Sequence, residues 1–212
     1  TVRRDLDELE SENKLRRVHG GAELPHSLQE EETIQEKSVK NLQEKKLIAQ
    51  KAASLIKEKE VIFVDAGSTT AFLIKELDRK DITVVTNSIH HAVQLVDKQI
   101  PTVIIGGGVK MTTDASIGGV ALNQINQLHF DRAFIGMNGV DEGYYTTPDM
   151  EEGAVKRAIL ENAKQTYVLA DSSKLGQSCF VKVAPIKRAI VITSKGHELL
   201  QAIKEKTEVI EV

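Results

Sequence analysis

Three hydroxyl side chains follow an acid and a glycine in the stretch Asp65-Ala66-Gly67-Ser68-Thr69-Thr70. Gly67 lets the backbone bend and lets a ligand come close. Ser68, Thr69 and Thr70 stand where a helix-like run begins, so free backbone N–H groups and the helix dipole favour an anion there. Phosphate or carboxylate suits such a turn. Asp65 would repel that group, and two roles stand open for it: accepting hydrogen bonds from hydroxyls further along a sugar-like ligand, or capping the helix. Lys174, in "LADSSKLG", could supply a countercharge or stand as a surface lysine. Lys156 reads as the i,i+4 partner of Glu152 on a helix. His90 and His91 are adjacent, lack metal-ligand spacing and read as surface or helix-edge residues. Cys179 reads as a small buried hydrophobe. No zinc-protease, phosphate-loop, dinucleotide or paired-cysteine motif occurs, so neither a cofactor nor a metal is expected.

These residues need a scaffold, and the apolar runs supply one. Short Val- and Ile-rich runs at 61–64, 82–85, 102–105, 132–135, 167–170 and 189–192 alternate with helical segments, and a last run spans 208–212 after a helix at 196–206. Runs with few polar interruptions mark strands covered on both faces. Their alternation with helices predicts βαβ units, hence an α/β fold with a mostly parallel sheet and flanking helices. A long helix over about 38–59 is expected before the first strand, with Leu47, Ile48, Ala52, Leu55 and Ile56 on one face. Small polar residues and glycines follow the strands: Asp65 to Thr70, Thr86-Asn87-Ser88, Gly106-Gly107-Gly108, Gly136 to Asp141, Asp171 to Lys174, and Thr193-Ser194. One such turn is ordinary capping chemistry. Six in register point to one polar crevice at the carboxyl edge of the sheet, where open parallel sheets bind ligands.

The 212 residues suit one ordinary domain plus something small. A net charge of −3 gives no sign of nucleic acid binding by bulk charge. One cysteine excludes an internal disulfide framework and fits a cytoplasmic protein. No apolar run approaches the ~20 residues of a membrane helix, and no signal peptide is visible. At the other end of the chain, 1–11 reads as a helix and 15–18 as a short strand before Gly20-Gly21. An acidic stretch with Pro25 and Glu30-Glu31-Glu32 follows and reads as a solvated linker or hinge. The domains expected are therefore 1–22, a linker at 23–37, and 38–212. The start at Thr1, inside a helix-like run, suggests that a native N-terminal segment is missing.

Motifs along essentially the whole chain resemble those of the DeoR family of bacterial repressors. "TVRRDLDELESENKLRRVHGGAEL" resembles the end of its winged helix. "DAGSTT", "VTNS", "GGGVK", "IGMNGVDEGYYT", "AVKRAI" and "LADSSKLG" resemble successive motifs of its effector domain. The resemblance implies a repressor of sugar metabolism whose sensor domain folds like ribose-5-phosphate isomerase and the coenzyme A transferases. It implies a phosphorylated sugar as effector, operator DNA as partner, and assembly into homodimers or homotetramers. Among family effectors, fructose 1-phosphate is favoured over tagatose 6-phosphate and glycerol 3-phosphate.

Carried over residue by residue, the resemblance puts Thr1, Arg3 and Arg4 on the recognition helix, which enters the major groove. It puts Arg16, Arg17 and His19 on the wing. Asp65, Gly67, Ser68, Thr69, Thr70, Thr86, Asn87, Gly107, Asp141 and Lys174 fall in the sensor crevice. The related isomerases carry an acid-rich segment resembling Asp-Gly-Ala-Asp-Glu; here it reads Asn138-Gly139-Val140-Asp141-Glu142. An amide cannot serve as a general base. The expectation is a sensor rather than an enzyme, with a sugar-phosphate isomerase or coenzyme A transferase-like protein as the alternative. Residues 1–21 hold five basic and five acidic side chains, so the chain as written is expected to bind DNA poorly.

Overall fold

The structure is a computed structural model that describes residues 2–11, 15–18, 21–23 and 27–212. Helix α1 (Val2–Ser11) precedes an antiparallel hairpin of β1 (Arg16–Val18) and β2 (Gly21–Glu23), with Arg17 opposite Ala22. Then come α2 (Ile34–Ser38) and α3 (Leu42–Ser54). The elements that follow are β3 (Val61–Val64), α4 (Ser68–Glu76), β4 (Thr83–Thr86), α5 (Ile89–Asp97) and β5 (Thr102–Ile104). A hairpin of β6 (Gly108–Lys110) and β7 (Ala115–Ile117) leads into α6 (Gly118–Ile125) and β8 (Phe130–Gly136). After β9 (Gly139–Val140) and β10 (Tyr144–Thr147) the chain runs through α7 (Met150–Asn162), β11 (Ala163–Leu169), β12 (Val181–Pro185), β13 (Ile190–Thr193), α8 (Leu200–Lys204) and β14 (Val209–Glu211).

Seven strands pair in the order β14-β13-β11-β8-β3-β4-β5, every pair parallel. The alternating side chains of each strand enter two separate cores, as a pleated strand requires. Phe63, Val85, Ala133, Ile135, Val168 and Val191 pack with α6, α7 and α8 on one face. Ile62, Val64, Val84, Phe134, Leu169 and Ile192 pack with α3, α4 and α5 on the other. This is the doubly covered sheet that the unbroken Val/Ile runs predict.

The order of the strands places the site. From β3 the chain steps outward to β4 and β5, then returns with β8 on the opposite side of β3. The direction of winding reverses between β3 and β8, and the loops after those two strands part there. Such a switch point opens a crevice at the carboxyl edge.

Three local expectations differ. The helix expected over 38–59 is shorter: α2 ends at Ser38 with Val39 as its cap, left-handed Asn41 (φ 51°) precedes α3, and α3 stops at Ser54. Its buried face is Lys45, Ile48, Ala49 and Ala52, while Leu47 is half exposed. The stretch read as a solvated linker is partly packed: residues 31–34 and Lys37 are half-buried, while Gln35 and Glu36 are exposed. There the Ile34 N–H donates to the Thr112 carbonyl (2.8 Å), and a Thr33/Glu36 capping box starts α2. Periodicity also misses the small antiparallel sheet β12-β10-β9; its strands are two to five residues long and carry polar Thr and Lys.

Candidate functional site

Asp65 directly follows β3 and lies almost wholly buried at the floor of the switch-point crevice. Its carboxylate does not cap α4. The cap is Gly67, with no side-chain cap bond. Instead Asp65 accepts from the buried Lys156 ammonium of α7 and, through the same oxygen, from the Gly136 N–H (3.3 Å) at the end of β8. Burial works against ionising either partner. For Lys156 the carboxylates of Asp65, Glu152 and Glu31 outweigh it, holding the amine above the ordinary lysine value. The ammonium form is held by contact with Asp65 and by the charges of Glu152 and Glu31. Lys156 thus keeps the attraction to Glu152 that the i,i+4 reading expects, but its ammonium is bound in a buried pair with Asp65, the residue after β3.

The near wall is the start of α4. Ala71, the first residue after the opening turn, donates back to the Gly67 carbonyl (3.0 Å), so the N–H groups of Ser68, Thr69 and Thr70 precede the first full helical bond. The Thr70 hydroxyl donates to the Gly67 carbonyl (3.0 Å). The cleft they face is also lined by Asn138, Lys156, Lys174, Lys37 and Glu31. Asn138 accepts from the Thr147 hydroxyl (3.1 Å), which fixes its amide.

The far wall comes from the 27–41 segment. The Glu31 carboxylate pairs with Lys110 of β6 and stands 3.6 Å from the Lys37 ammonium of α2. Lys110 also meets Asp149 (3.2 Å) and Glu152 (3.4 Å). Burial pushes Lys37 below the ordinary lysine value, against the pull of Glu31. Buried Lys45 donates to the Lys37 carbonyl, and Asn41 donates to Asp171 (2.8 Å). Glu44 accepts from the Ser172 N–H (2.8 Å) and from the Ser194 hydroxyl (2.6 Å). The loops after β11 and β13 are thereby tied to α3.

Residues 40–195 match the model of the DeoR C-terminal sensor domain, and residues 1–28 match the DeoR-like helix-turn-helix domain. The chain belongs to the DeoR family. An uncharacterized helix-turn-helix transcriptional regulator, FruR, of Bacillus subtilis is 45% identical over 99% of this chain and 84% of its own length. The transcriptional regulator GlpR of Haloferax volcanii is 36% identical over 92% of this chain and 78% of its own. A lactose phosphotransferase system repressor of Staphylococcus epidermidis is 32% identical over 98% and 84%. Among solved structures, eIF2B beta of Chaetomium thermophilum aligns with a TM-score of 0.51 at 15% identity, over 79% of this chain and 54% of that one, a likeness of fold. Ribose 5-phosphate isomerase A of Methanocaldococcus jannaschii aligns with a TM-score of 0.48 at 23% identity, over 64% of this chain and 55% of that one.

Within this DeoR sensor domain the expected site residues divide. Gly67, Ser68, Thr69, Thr70 and Lys174 line the cleft, with Asp65 beneath it. Asn87 is buried, its side-chain oxygen accepting from the Ala66 N–H (2.9 Å), and Thr86 accepts from the Ser88 N–H (3.1 Å). Asn87 ties the loop after β4 to the Asp65 turn, Thr86 braces that loop internally, and neither lines the cleft. Gly107 (φ 144°) packs against the Ile117 carbonyl, also outside the cleft. Asp141 closes the β9–β10 turn by accepting from the Gly143 and Tyr144 N–H groups (2.7 Å each) and lines a broader neighbouring groove. Lys156, Lys37 and Glu31 were not among the expected site residues. Each sits in a charged sequence context that reads as a solvated helix face or linker, and only the long-range packing distinguishes them. His91, expected at a surface, is buried beside the Gly67 turn, and burial lowers it to about 4. Of the residues assigned to DNA, Thr1 and His19 lie outside the described residues. Arg3 and exposed Arg4 belong to α1, and Arg16 and Arg17 to β1.

Proposed function

We propose that this DeoR-family protein represses a carbohydrate-utilisation operon and releases it when a phosphorylated sugar enters the switch-point cleft. One observation carries the reading: a helix start bearing three hydroxyl residues faces lysines from three separate elements, Lys156, Lys174 and Lys37, in one cleft. Backbone N–H groups, hydroxyls and ammonium groups are the donors a phosphate takes. The phosphate sits on Gly67, Ser68, Thr69 and Thr70 with Lys174 as countercharge. The sugar hydroxyls reach toward the Asp65–Lys156 pair and Asn138. Thr86, Asn87, Gly107 and Asp141 serve by holding the loops.

The operator is read through Thr1, Arg3 and Arg4 on the recognition helix and through Arg16, Arg17 and His19 on the wing, residues 1–22 being part of the DNA-binding domain. Residues 23–37 connect it to the sensor at 38–212. Two-fold operators pair with two-fold proteins, which supports a homodimer or a homotetramer acting on DNA in the cytoplasm. The names of relatives, lactose phosphotransferase system repressor among them, support the carbohydrate assignment. Fructose 1-phosphate is the first effector to test. The effector must favour one state to act, since equal affinity for both moves nothing. The amide at Asn138 favours sensing over isomerisation.

The test is operator binding by full-length protein across a panel of sugar phosphates. A phosphorylated sugar should shift operator affinity at or below about millimolar concentration, and no shift with any of them would defeat the reading.

A further inference from the structure

The cleft as it stands is small, about 60 Å³, where one water occupies about 10–15 Å³ by the same measure. A few waters fit in this inner part, which shares Lys37, Asn138 and Lys174 with the broader neighbouring groove, so a sugar can extend into the groove while its phosphate competes for the inner space with whichever wall can yield. The walls formed by α4, β8 and α7 belong to the packed cores. The 27–41 segment contributes no residue to either core: it is held by the Ile34–Thr112 and Phe180–Leu28 backbone bonds, by the Asn41–Asp171 and Lys45–Lys37 hydrogen bonds, and by the charges of Glu31 and Lys37.

Glu31 is the unusual member. Its side chain is only 10% exposed, on the cleft wall among lysines. One carboxylate oxygen is engaged by Lys110, while the other is buried without a hydrogen-bond partner among the described residues, 3.6 Å from the Lys37 ammonium. A buried anionic oxygen without a donor is costly, and a negative group held among cationic ones is what a phosphate would be in the same cleft. Lys110 retains Asp149 and Glu152 if Glu31 leaves. Residues 29–39 lie between the two family matches, so displacing them acts on the chain that joins sensor to helix-turn-helix domain.

We propose that Glu31 is a tethered anion occupying the effector cleft, and that an anionic effector binds by displacing it, freeing the 27–41 strap. This deepens the sensing reading and rests on it. The competing group is a phosphomonoester, which takes over the Lys37 ammonium and the α4 start. Displacement taxes effector affinity by the fraction of time the strap is open and turns binding into a change in the interdomain connection.

The experiment compares full-length wild type with Glu31→Gln and Glu31→Ala. Hydrogen exchange without ligand reads the tether: both variants should exchange the Ile34 amide about tenfold faster or more, with the β3 and β8 amides unchanged. Unchanged Ile34 exchange overturns the tether whatever the ligand proves to be. Calorimetry with fructose 1-phosphate and with inorganic phosphate reads the competition: both variants should bind at least one probe about tenfold tighter than wild type. Equal or weaker binding by the variants overturns the competition, because Glu31 would then be a neutral bystander or a ligand of the sugar. Failure of both probes to bind any of the three proteins overturns the competition for the phosphate group, while the sensing reading falls only if no sugar phosphate of the panel shifts operator affinity. In that case the exchange result alone decides the tether.

Discussion

Replacing Lys156 by methionine removes one half of a buried ion pair whose side chains are 7% and 2% exposed. Breaking such a pair costs about 3–5 kcal/mol, because the remaining charge stays buried. The neighbours make the cost asymmetric. Lys156→Met leaves the Asp65 carboxylate facing Glu152, which repels it, whereas Asp65→Asn leaves Lys156 still attracted by Glu152 and Glu31. Lys156→Met should therefore be the more damaging single change. For a domain of this size each kcal/mol moves Tm by about 2–4 °C, so this variant should lose roughly 6–20 °C. The double variant Asp65→Asn/Lys156→Met carries no charge at the floor and keeps an amide oxygen for the Gly136 N–H. It should recover about 3 kcal/mol or more relative to the sum of the singles. Urea denaturation of the four proteins measures the cycle. Additivity of the singles within about 0.5 kcal/mol would refute the buried pair as the element that fixes the cleft floor.

Further outcomes follow from other residues. His91 is held near 4 in the fold and titrates near 6.5 when unfolded, so the unfolded chain takes up its proton first as pH falls. Stability from neutral His91 is complete above about pH 6.5 and declines to about pH 4, by ~3 kcal/mol in all. His91→Gln should flatten that decline in denaturation curves, and an unchanged slope would show that His91 is not its source. Gly107→Ala forces a side chain onto φ 144° with its Cβ 2.6 Å from the Ile117 carbonyl oxygen. It should cost roughly 1–3 kcal/mol of stability, visible in the denaturation midpoint, while folded protein keeps its effector affinity. Lys174→Ala should weaken the effector response of operator binding and leave effector-free operator affinity nearly intact; an equal loss of both would assign Lys174 to folding.

Strand identity and the polar carboxyl edge were legible in the sequence because both depend on local pattern. Val/Ile runs have no other comfortable place than a covered sheet, and Asp65 to Thr70 could hardly be anything but a strand-to-helix turn at its edge. Which polar residues face the cleft was not legible. Thr86, Asn87 and Gly107 share the composition of a binding loop, yet their bonds go inward to the Ala66 and Ser88 N–H groups or to close packing. Lys156 and Glu31 fail the other way: locally each has a solvated reading, and their burial is decided by partners 91 and 79 residues away. The Asn41 break in the first helix was hidden because the residues on both sides are good helix formers.

In the function proposed, the cleft between β3 and β8 binds a phosphorylated sugar through its phosphate. Isothermal titration of full-length protein with fructose 1-phosphate, other sugar phosphates and the matching free sugars tests it most directly. At least one sugar phosphate should bind at or below about millimolar concentration, its free sugar about a hundredfold more weakly, and Lys174→Ala should erase most of that difference. Equal affinity for a sugar and its phosphate, or binding that Lys174→Ala leaves untouched, would contradict it.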